Sequence, residues 1–484
     1  MADLEKISKT VCELTFQIKL KLKTVLLDRQ FIGVQFMRNS GIITFISVIL
    51  FLILTNNVFA QNPIIMDQFT ADPTARVFEG KVYVYPSHDI LATEGRGRIG
   101  WFCMEDYHVF SSQNLTDWTD HGVMVSQNKV NWVDSTSYSM WAPDCIYRNG
   151  KYYFYFPARA KEREIRRGMA IGVAISDNPY GPFKPEPKPI EGVVGIDPNI
   201  FIDKDEQAYL YYSLGKIFVA KLKENMLELA SEPEAIEGFP DKGLIEGPFM
   251  FERNGIYYLT YPHVQNKTER LEYAISDNPM GPFEVKGVIM DESPECWTNH
   301  QSIVEFNNQW YLFYHSNDLS PRFDKNRSIK IDSLFFNTDN TIKKVIPTLR
   351  GVGLTDASNK IQIDRYSRKS NEGVSIAFLD TLERSKGWKT ALDTAGAWIQ
   401  YNNVDFGTHQ FKSIHVRASS KTGGTLRIRL NNLDGPLLAR VKIPNRDEWN
   451  IVNSSISKCR PGIHNLVAIL EDDNNIEIDW ISFK

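Results

Sequence analysis

One short pattern occurs five times in the first 320 residues: a tight turn followed by an alternating, aromatic strand. It reads EGKVYVY (79–85), NGKYYFYF (149–156), DEQAYLYY (205–212), NGIYYLTY (254–261) and NNQWYLFY (307–314). Gly, Asn, Asp or Gln supplies the turn and β-branched or aromatic residues supply the strand. The equivalent tyrosines are Tyr83, Tyr153, Tyr209, Tyr258 and Tyr311, 49 to 70 residues apart. That spacing suffices for one four-stranded antiparallel blade per repeat. Helical periodicity is scarce. The pattern predicts an all-β protein with a five-bladed β-propeller over residues 62–353. SDNPYGPF (176–183) also recurs as SDNPMGPF (276–283).

Just upstream of each repeated strand lies a short polar insert in apolar or proline-flanked sequence. The inserts are ADP (71–73), WAPD (141–144), GIDPNI (195–200), LIEGPF (244–249) and TNHQS (298–302). The strand before each hairpin is the innermost of its blade and lines the central channel. Asp72, Asp144, Asp197, Glu246 and His300 are therefore expected to converge from five blades on one axis. Proline follows Asp72 and Asp197 at once and Glu246 after one glycine. Proline cannot donate to a ladder, so these carboxylates sit at strand mouths facing a cavity. Carboxylates held close together cannot all ionise, and one becomes a proton donor at neutral pH. The alternative is that Asp-Pro marks ordinary surface turns.

Lys+Arg 55 against Asp+Glu 59 leaves a net charge of −4, with no clustered basic face. That excludes nucleic acid as the natural partner. KEREIRR (161–167) reads as a solvated loop. GIITFISVILFLIL (41–54) is an apolar run of 14 followed by Val58 and Ala60 at cleavage-site positions. It is too short for a comfortable span and reads as a signal peptide covering residues 37–60, cleaved near Ala60. Met37 is then the start, residues 1–36 are an extension foreign to the protein, and the mature chain is periplasmic or secreted with no membrane span. A membrane anchor with a short cytoplasmic tail is the other reading. Cys103, Cys145, Cys296 and Cys459 show no framework or zinc spacing.

These motifs together resemble glycoside hydrolase family 43 across residues 64–353. The carriers are TADPTARVFEGKVYVYPSHD (70–89), WAPD, GIDPNIFID (195–203), EGPFMFERNGIYYLTY (246–261), WTNHQSIV (297–304) and NRSIKIDSLFF (326–336). The resemblance implies that Asp72 is the general base, Glu246 the general acid, and Asp197 the carboxylate that raises the acid's pKa and orients the sugar. It implies an inverting enzyme with base and acid roughly 6.5–9.5 Å apart. His300 matches a histidine on the channel axis near a calcium or water, or is a satisfied structural residue. Arg327 matches an arginine that reaches substrate, or forms a surface salt bridge. Trp141 stacks on a sugar or packs beside Pro143. Trp101, Phe102 and Trp297 are further candidates for the pocket wall, with the core as their alternative. No cofactor is required for catalysis by this reading, and the insert LATEGRGRIGWFCMEDYH (91–108) is a candidate wall.

Beyond a linker at 354–360, alternating strands from IQIDRYS (361–367) to IEIDWISF (476–483) predict a β-sandwich, of jelly-roll type, over residues 361–484. IQIDRYS, VDFG, GTLRIRL, DEWN and IDWISF resemble carbohydrate-binding module family 6. In that family, acidic residues at the positions of Asp364 and Asp479 help hold a structural calcium. The segment KTALDTAG (389–396), read as a loop, lacks the aromatic expected there, whereas Trp449 fills the other expected position. The module therefore binds sugar or packs as a structural domain.

The expectation is an exported inverting glycosidase acting on a plant polysaccharide or oligosaccharide, releasing arabinofuranosyl or xylosyl residues from arabinoxylan-like hemicellulose. Endo-arabinanase or exo-galactanase action, or a non-catalytic sugar-binding propeller, are the alternatives.

Overall fold

The computed structural model describes residues 62–162, 169–240, 242–382, 386–408 and 410–484. The signal-peptide run, the N-terminal extension and most of KEREIRR lie outside them. Among the described residues the secondary structure is β-strand apart from one 3-10 turn at Gln127–Lys129, and no helix is long and apolar enough to cross a membrane.

Four four-stranded sheets and one three-stranded sheet make the blades. Blade one holds β1 (Phe69–Phe78), β2 (Lys81–Asp89), β3 (Asp106–Ser112) and β4 (Thr119–Ser126). Blade two holds β5 (Asp144–Arg148), β6 (Lys151–Arg159), β7 (Met169–Ser176) and β8 (Lys184–Pro185). Blade three holds β9 (Ile196–Ile202), β10 (Ala208–Ser213), β11 (Ile217–Leu222) and β12 (Glu234–Ala235). Blade four holds β13 (Phe249–Arg253), β14 (Ile256–Val264), β15 (Glu269–Ser276) and β16 (Glu284–Met290). Blade five has only three strands, β17 (Ser302–Phe306), β18 (Gln309–Ser316) and β19 (Ser328–Leu334). The expected fourth strand is replaced by the segment at residues 62–64: Ile64 N donates to Ile329 O, and the Asn62 amide bonds both backbone groups of Ile331.

The repeated motif is the hairpin between each blade's first two strands. Glu79–Gly80, Asn149–Gly150 and Asn254–Gly255 all have positive φ, as two-residue type I′ turns require. The strand after the turn buries both faces, which is why it reads as nearly continuous apolar sequence. In β2, Tyr83 and Tyr85 pack toward blade two while Val82 and Val84 pack toward blade five. In β10, Tyr209 and Tyr211 face blade four while Leu210 and Tyr212 face blade two. The duplicated SDNP turns clasp adjacent blades: Tyr85 Oη donates to Pro179 O and Tyr211 Oη to Pro279 O.

The inner strands β1, β5, β9, β13 and β17 touch their neighbours around the whole ring. Hydrogen bonds bridge every junction. Thr74 Oγ1 donates to Pro143 O, and Asn199 Nδ2 and Ile200 N donate to Asp144. Met250 N donates to Asn199 Oδ1, Gln301 Nε2 to Gly247 O, and Ser302 Oγ to Pro73 O.

The second region packs two six-stranded sheets over one core. Its strands are β20 (Thr355–Asp356), β21 (Ile361–Gln362), β22 (Arg368–Lys369), β23 (Val374–Phe378), β24 (Trp388–Leu392), β25 (Trp398–Asp405), β26 (Ser413–Ser420), β27 (Gly424–Leu430), β28 (Leu437–Ile443), β29 (Arg446–Ser455), β30 (Ile463–Leu470) and β31 (Ile476–Phe483). Two boundary expectations are corrected. Residues 354–360 are woven into the sandwich: β20 pairs in parallel with β25, and Ala357 is fully buried in its core. Half of KTALDTAG is not loop, because Lys389–Leu392 belong to β24, which pairs with both β23 and β31. The two regions meet at buried Arg350, which donates to Gly353 O and Thr355 Oγ1 and lies over the Tyr401 ring.

Candidate active site

The inner strands are bulged where the carboxylates sit. The register of β1 on β2 shifts between Ala71 and Thr74, and that of β9 on β10 shifts beside Asp197. Asp72 and Asp197 have φ of 46° and 54°. A residue before proline is normally extended, and the left-handed conformation costs about 1–2 kcal/mol for an L-residue. Both aspartates are held there, turned out of the ladder. In blade four the residue before proline is Gly247, φ 55°, where an added Cβ would meet the Pro262 ring at 2.9 Å. No side chain fits, so the acidic group comes from one position earlier, on the longer Glu246.

Asp72, Asp197, Glu246, Trp101, Phe102, Trp141, Trp297, His300 and Arg327 all line one cavity at the mouth of the channel. Asp72 and Asp197 are buried at 6% and 7% exposure, whereas Glu246 is partly exposed and is the most accessible of the three. Trp101, Phe102 and Trp297 form one aromatic wall, with ring centroids 5.5–6.1 Å apart. Lys325 lies over Phe102 and Trp297, and Arg327 over Phe102. The insert at 91–108 thus does wall the cavity. Trp141 both lines it and packs against the core of blades one and two.

Arg327 is a buried clamp rather than a surface ion pair. Its Nη1 and Nη2 donate to the Asp72 carboxylate at 2.7 and 3.1 Å, and its Nε, Nη2 and backbone N donate to Asp89. Ser87 Oγ adds a 2.6 Å bond to Asp72. Burial pushes the Asp72 pKa upward, but Arg327, His315, His300 and Ser87 together outweigh it and hold the group at about 2. Asp72 is an anion. His315 accepts the Asp72 backbone N–H at Nδ1 and faces Thr298 O with Nε2, which fixes its tautomer. Burial and Arg327 depress it to about 3, so it is neutral. His300 Nδ1 is 3.9 Å from Asp72, and burial lowers its pKa too.

Glu246 has carboxyl groups for neighbours instead. Burial raises its pKa first, with the Asp72 charge behind it, while Arg327 and a bond to Glu269 pull the other way. Asp197 is pushed well upward by burial, then by Glu246 and Asp72, although it accepts Gly247 N at 3.1 Å. Glu269, the first residue of β15, is 1% exposed and is raised by burial and by Glu246. It accepts Asn299 N at 2.5 Å through Oε2. Glu246 acts on both Asp197 and Glu269, so these carboxyls lose their protons in linked steps.

Sequence reasoning missed Glu269, His315, Ser87 and Asp89. Ser87 and His315 had a signal, since both end a repeated strand and so stand beside an inner-strand bulge. Asp144 was placed correctly on the ring but does not line the cavity. Fully buried, it pairs with Arg76 and accepts from Asn199, Ile200 and Cys145, so it locks blades one to three together. Asp479 pairs with Arg417 and Asp364 with Arg365, and burial, with the Asp479 charge behind it, raises the Asp364 pKa; among the described residues neither they nor His300 belong to a group of three His, Cys, Asp or Glu ligand atoms. Trp449 lies under the Arg417 guanidinium. The four described cysteines are buried and unpaired.

Residues 60–342 match glycosyl hydrolases family 43. The chain belongs to that family. Residues 367–484 match carbohydrate binding module family 6, so this is a family 43 glycosidase with a module of that type. It is 39% identical to a xylosidase/arabinosidase of Humicola insolens over 58% of this chain and 98% of the relative. An arabinoxylan arabinofuranohydrolase of Bacillus subtilis is 27% identical over 86% of this chain and 90% of its own. A solved β-xylosidase/α-arabinofuranosidase from a compost microbial metagenome, in complex with xylotriose, superposes with a TM-score of 0.53 at 37% identity, covering 59% of this chain and 97% of that one.

Proposed function

We propose that this family 43 enzyme is exported and releases arabinofuranosyl or xylosyl residues from arabinoxylan-like hemicellulose by single displacement with inversion. One observation carries the mechanism: Asp72 is clamped by a guanidinium, while Glu246 in the same cavity faces other carboxyl groups. The first arrangement keeps a base ionised, and in the second burial, with the Asp72 charge behind it, favours the protonated form of Glu246. Asp72 takes a proton from water as that water attacks the anomeric carbon. Glu246 delivers its proton to the glycosidic oxygen as the bond to the leaving group breaks. Asp197, bonded to Gly247 N, orients the sugar and keeps negative charge off Glu246. Trp141 and the Trp101–Phe102–Trp297 wall offer apolar faces for the sugar ring. A walled cavity suits removal of terminal or side-chain residues better than cleavage within a chain.

The names of the relatives support the sugar, and the family 6 module supports binding to polymeric substrate outside the cell. The test is product analysis on aryl arabinofuranosides, xylosides and galactosides, with branched arabinoxylan, linear arabinan and galactan in parallel. NMR of the first-formed anomer reads the stereochemistry. Release of arabinose or xylose with inverted configuration is expected. A retained anomer overturns the single-displacement scheme, and turnover confined to arabinan or galactan overturns the substrate.

A further inference from the structure

Beside the active site, on the outer side of β2, stands a second cluster of chemistry-bearing side chains. The β2–β3 ladder is regular only from Val82 to Val84; beyond it Ile90 N still donates to Cys103 O, so the strands run on together. Side chains fill the intervening gap. His88 projects from β2, Asp106 and His108 from β3, and one ligating atom from each lies within 4.8 Å of the others. Among the described residues this is the one group of three such side chains.

We propose that His88, Asp106 and His108 bind a divalent transition-metal ion, of which zinc is the type. Two imidazoles and one carboxylate are the donor set of such ions, and three protein ligands leave a fourth position for water. Calcium and magnesium are disfavoured because they require mainly oxygen ligands. His88 Nδ1 is 2.6 Å from Asp106 Oδ1. Across a tetrahedral zinc the same atoms stand about 3.3 Å apart, so binding needs only a small opening of side chains that are 14–18% exposed.

A carboxylate also stands behind one ligand. His108 Nδ1 meets both oxygens of Asp120 at 3.0 and 3.1 Å, which leaves Nε2 for the metal. Gln68 Nε2 and Gly122 N fix Asp120 in turn. A carboxylate bonded to the far nitrogen of a ligating histidine orients the ring and raises its basicity. His88 precedes Asp89, the partner of Arg327, and pairs across the ladder with Thr70, two residues before Asp72. A bound ion would tie β3 to β2, the strand whose Ser87 and Asp89 hold Asp72 and Arg327.

The test uses the full chain without a histidine tag, stripped with EDTA and titrated with ZnCl2 by calorimetry, with Co²⁺ absorption as a second readout. One equivalent of zinc and a Tm raised by a few degrees are expected. His108→Gln and Asp106→Asn should weaken binding at least tenfold, and Asp120→Asn by about 10–100-fold. His300→Ala should leave zinc binding unchanged, which separates this cluster from the catalytic cavity. The proposal is overturned if the stripped protein takes up no stoichiometric zinc. It is equally overturned if His108→Gln and Asp106→Asn bind as the parent does, or if His300→Ala alone abolishes binding.

Discussion

Arg327 and Asp72 are 255 positions apart in the chain and meet through two parallel hydrogen bonds at the point where the propeller ring closes. The same guanidinium is held from its other edge by Asp89. The proposed base is thereby fixed in orientation and in charge by one side chain that is itself 4% exposed.

Arg327→Ala leaves two buried carboxylates without their cation. Breaking such a pair costs about 3–5 kcal/mol, so a Tm lower by several degrees is expected with activity close to background. Arg327→Lys keeps the charge but loses the fork. It should fold, with kcat/KM down at least tenfold. A lysine variant with parental kinetics would show that the two-pronged grip is dispensable.

The pH profile follows from the two environments. The base is ionised above about 2, so kcat/KM should hold on the acid side to about pH 4. The alkaline limb is set by loss of the Glu246 proton, whose pKa lies above the ordinary 4.5. Glu246→Gln should remove that limb and lower kcat by about 10²–10⁴-fold on substrates with poor leaving groups, with a smaller loss on activated aryl glycosides. Parental turnover in Glu246→Gln, read by aryl glycoside kinetics, would refute its assignment as the acid.

Glu269 acts through Glu246. Glu269→Leu removes the bond that pulls the Glu246 pKa down and leaves Asn299 N without its acceptor. The alkaline limb should move to higher pH, with KM little changed. An unshifted limb would reduce Glu269 to a packing residue.

Stability should depend on pH through the same groups. Asp197 and Glu269 have folded pKa values raised above the unfolded ones. Their contribution is complete below the ordinary carboxylate pKa and is lost as pH rises through the folded values. Asp197→Asn should therefore raise Tm by a few degrees at pH 8, with the gain vanishing near pH 4. Asp72 has the opposite sign: its contribution is present above the ordinary value and lost as pH falls toward about 2.

Asp144→Asn tests the ring. It breaks the pairing with Arg76 and leaves that guanidinium without its carboxylate, so about 3–5 kcal/mol of destabilisation is expected. In protein that remains folded at low temperature, kcat should be near parental, because Asp144 does not line the cavity.

Much of this protein is local information and was legible as such. The repeat, its type I′ turns and the alternation that feeds two interblade cores from one strand all lie within about ten residues. They therefore specify the propeller by themselves. Asp72 and Asp197 were legible for the same reason, since an aspartate before proline breaks an inner strand wherever it occurs. Tertiary structure decided what each ring position faces. Asp144 and Asp197 both lie in the polar inserts ahead of a repeated strand, yet Arg76 pulls one into the wall while the other turns into the cavity. Glu269 has no motif and acquires meaning only because blade four places its carboxyl against Glu246. Arg327 finds Asp72 only when the last blade packs against the first. Charge state in this site is set by burial and by partners hundreds of residues away, and a one-dimensional pattern carries neither.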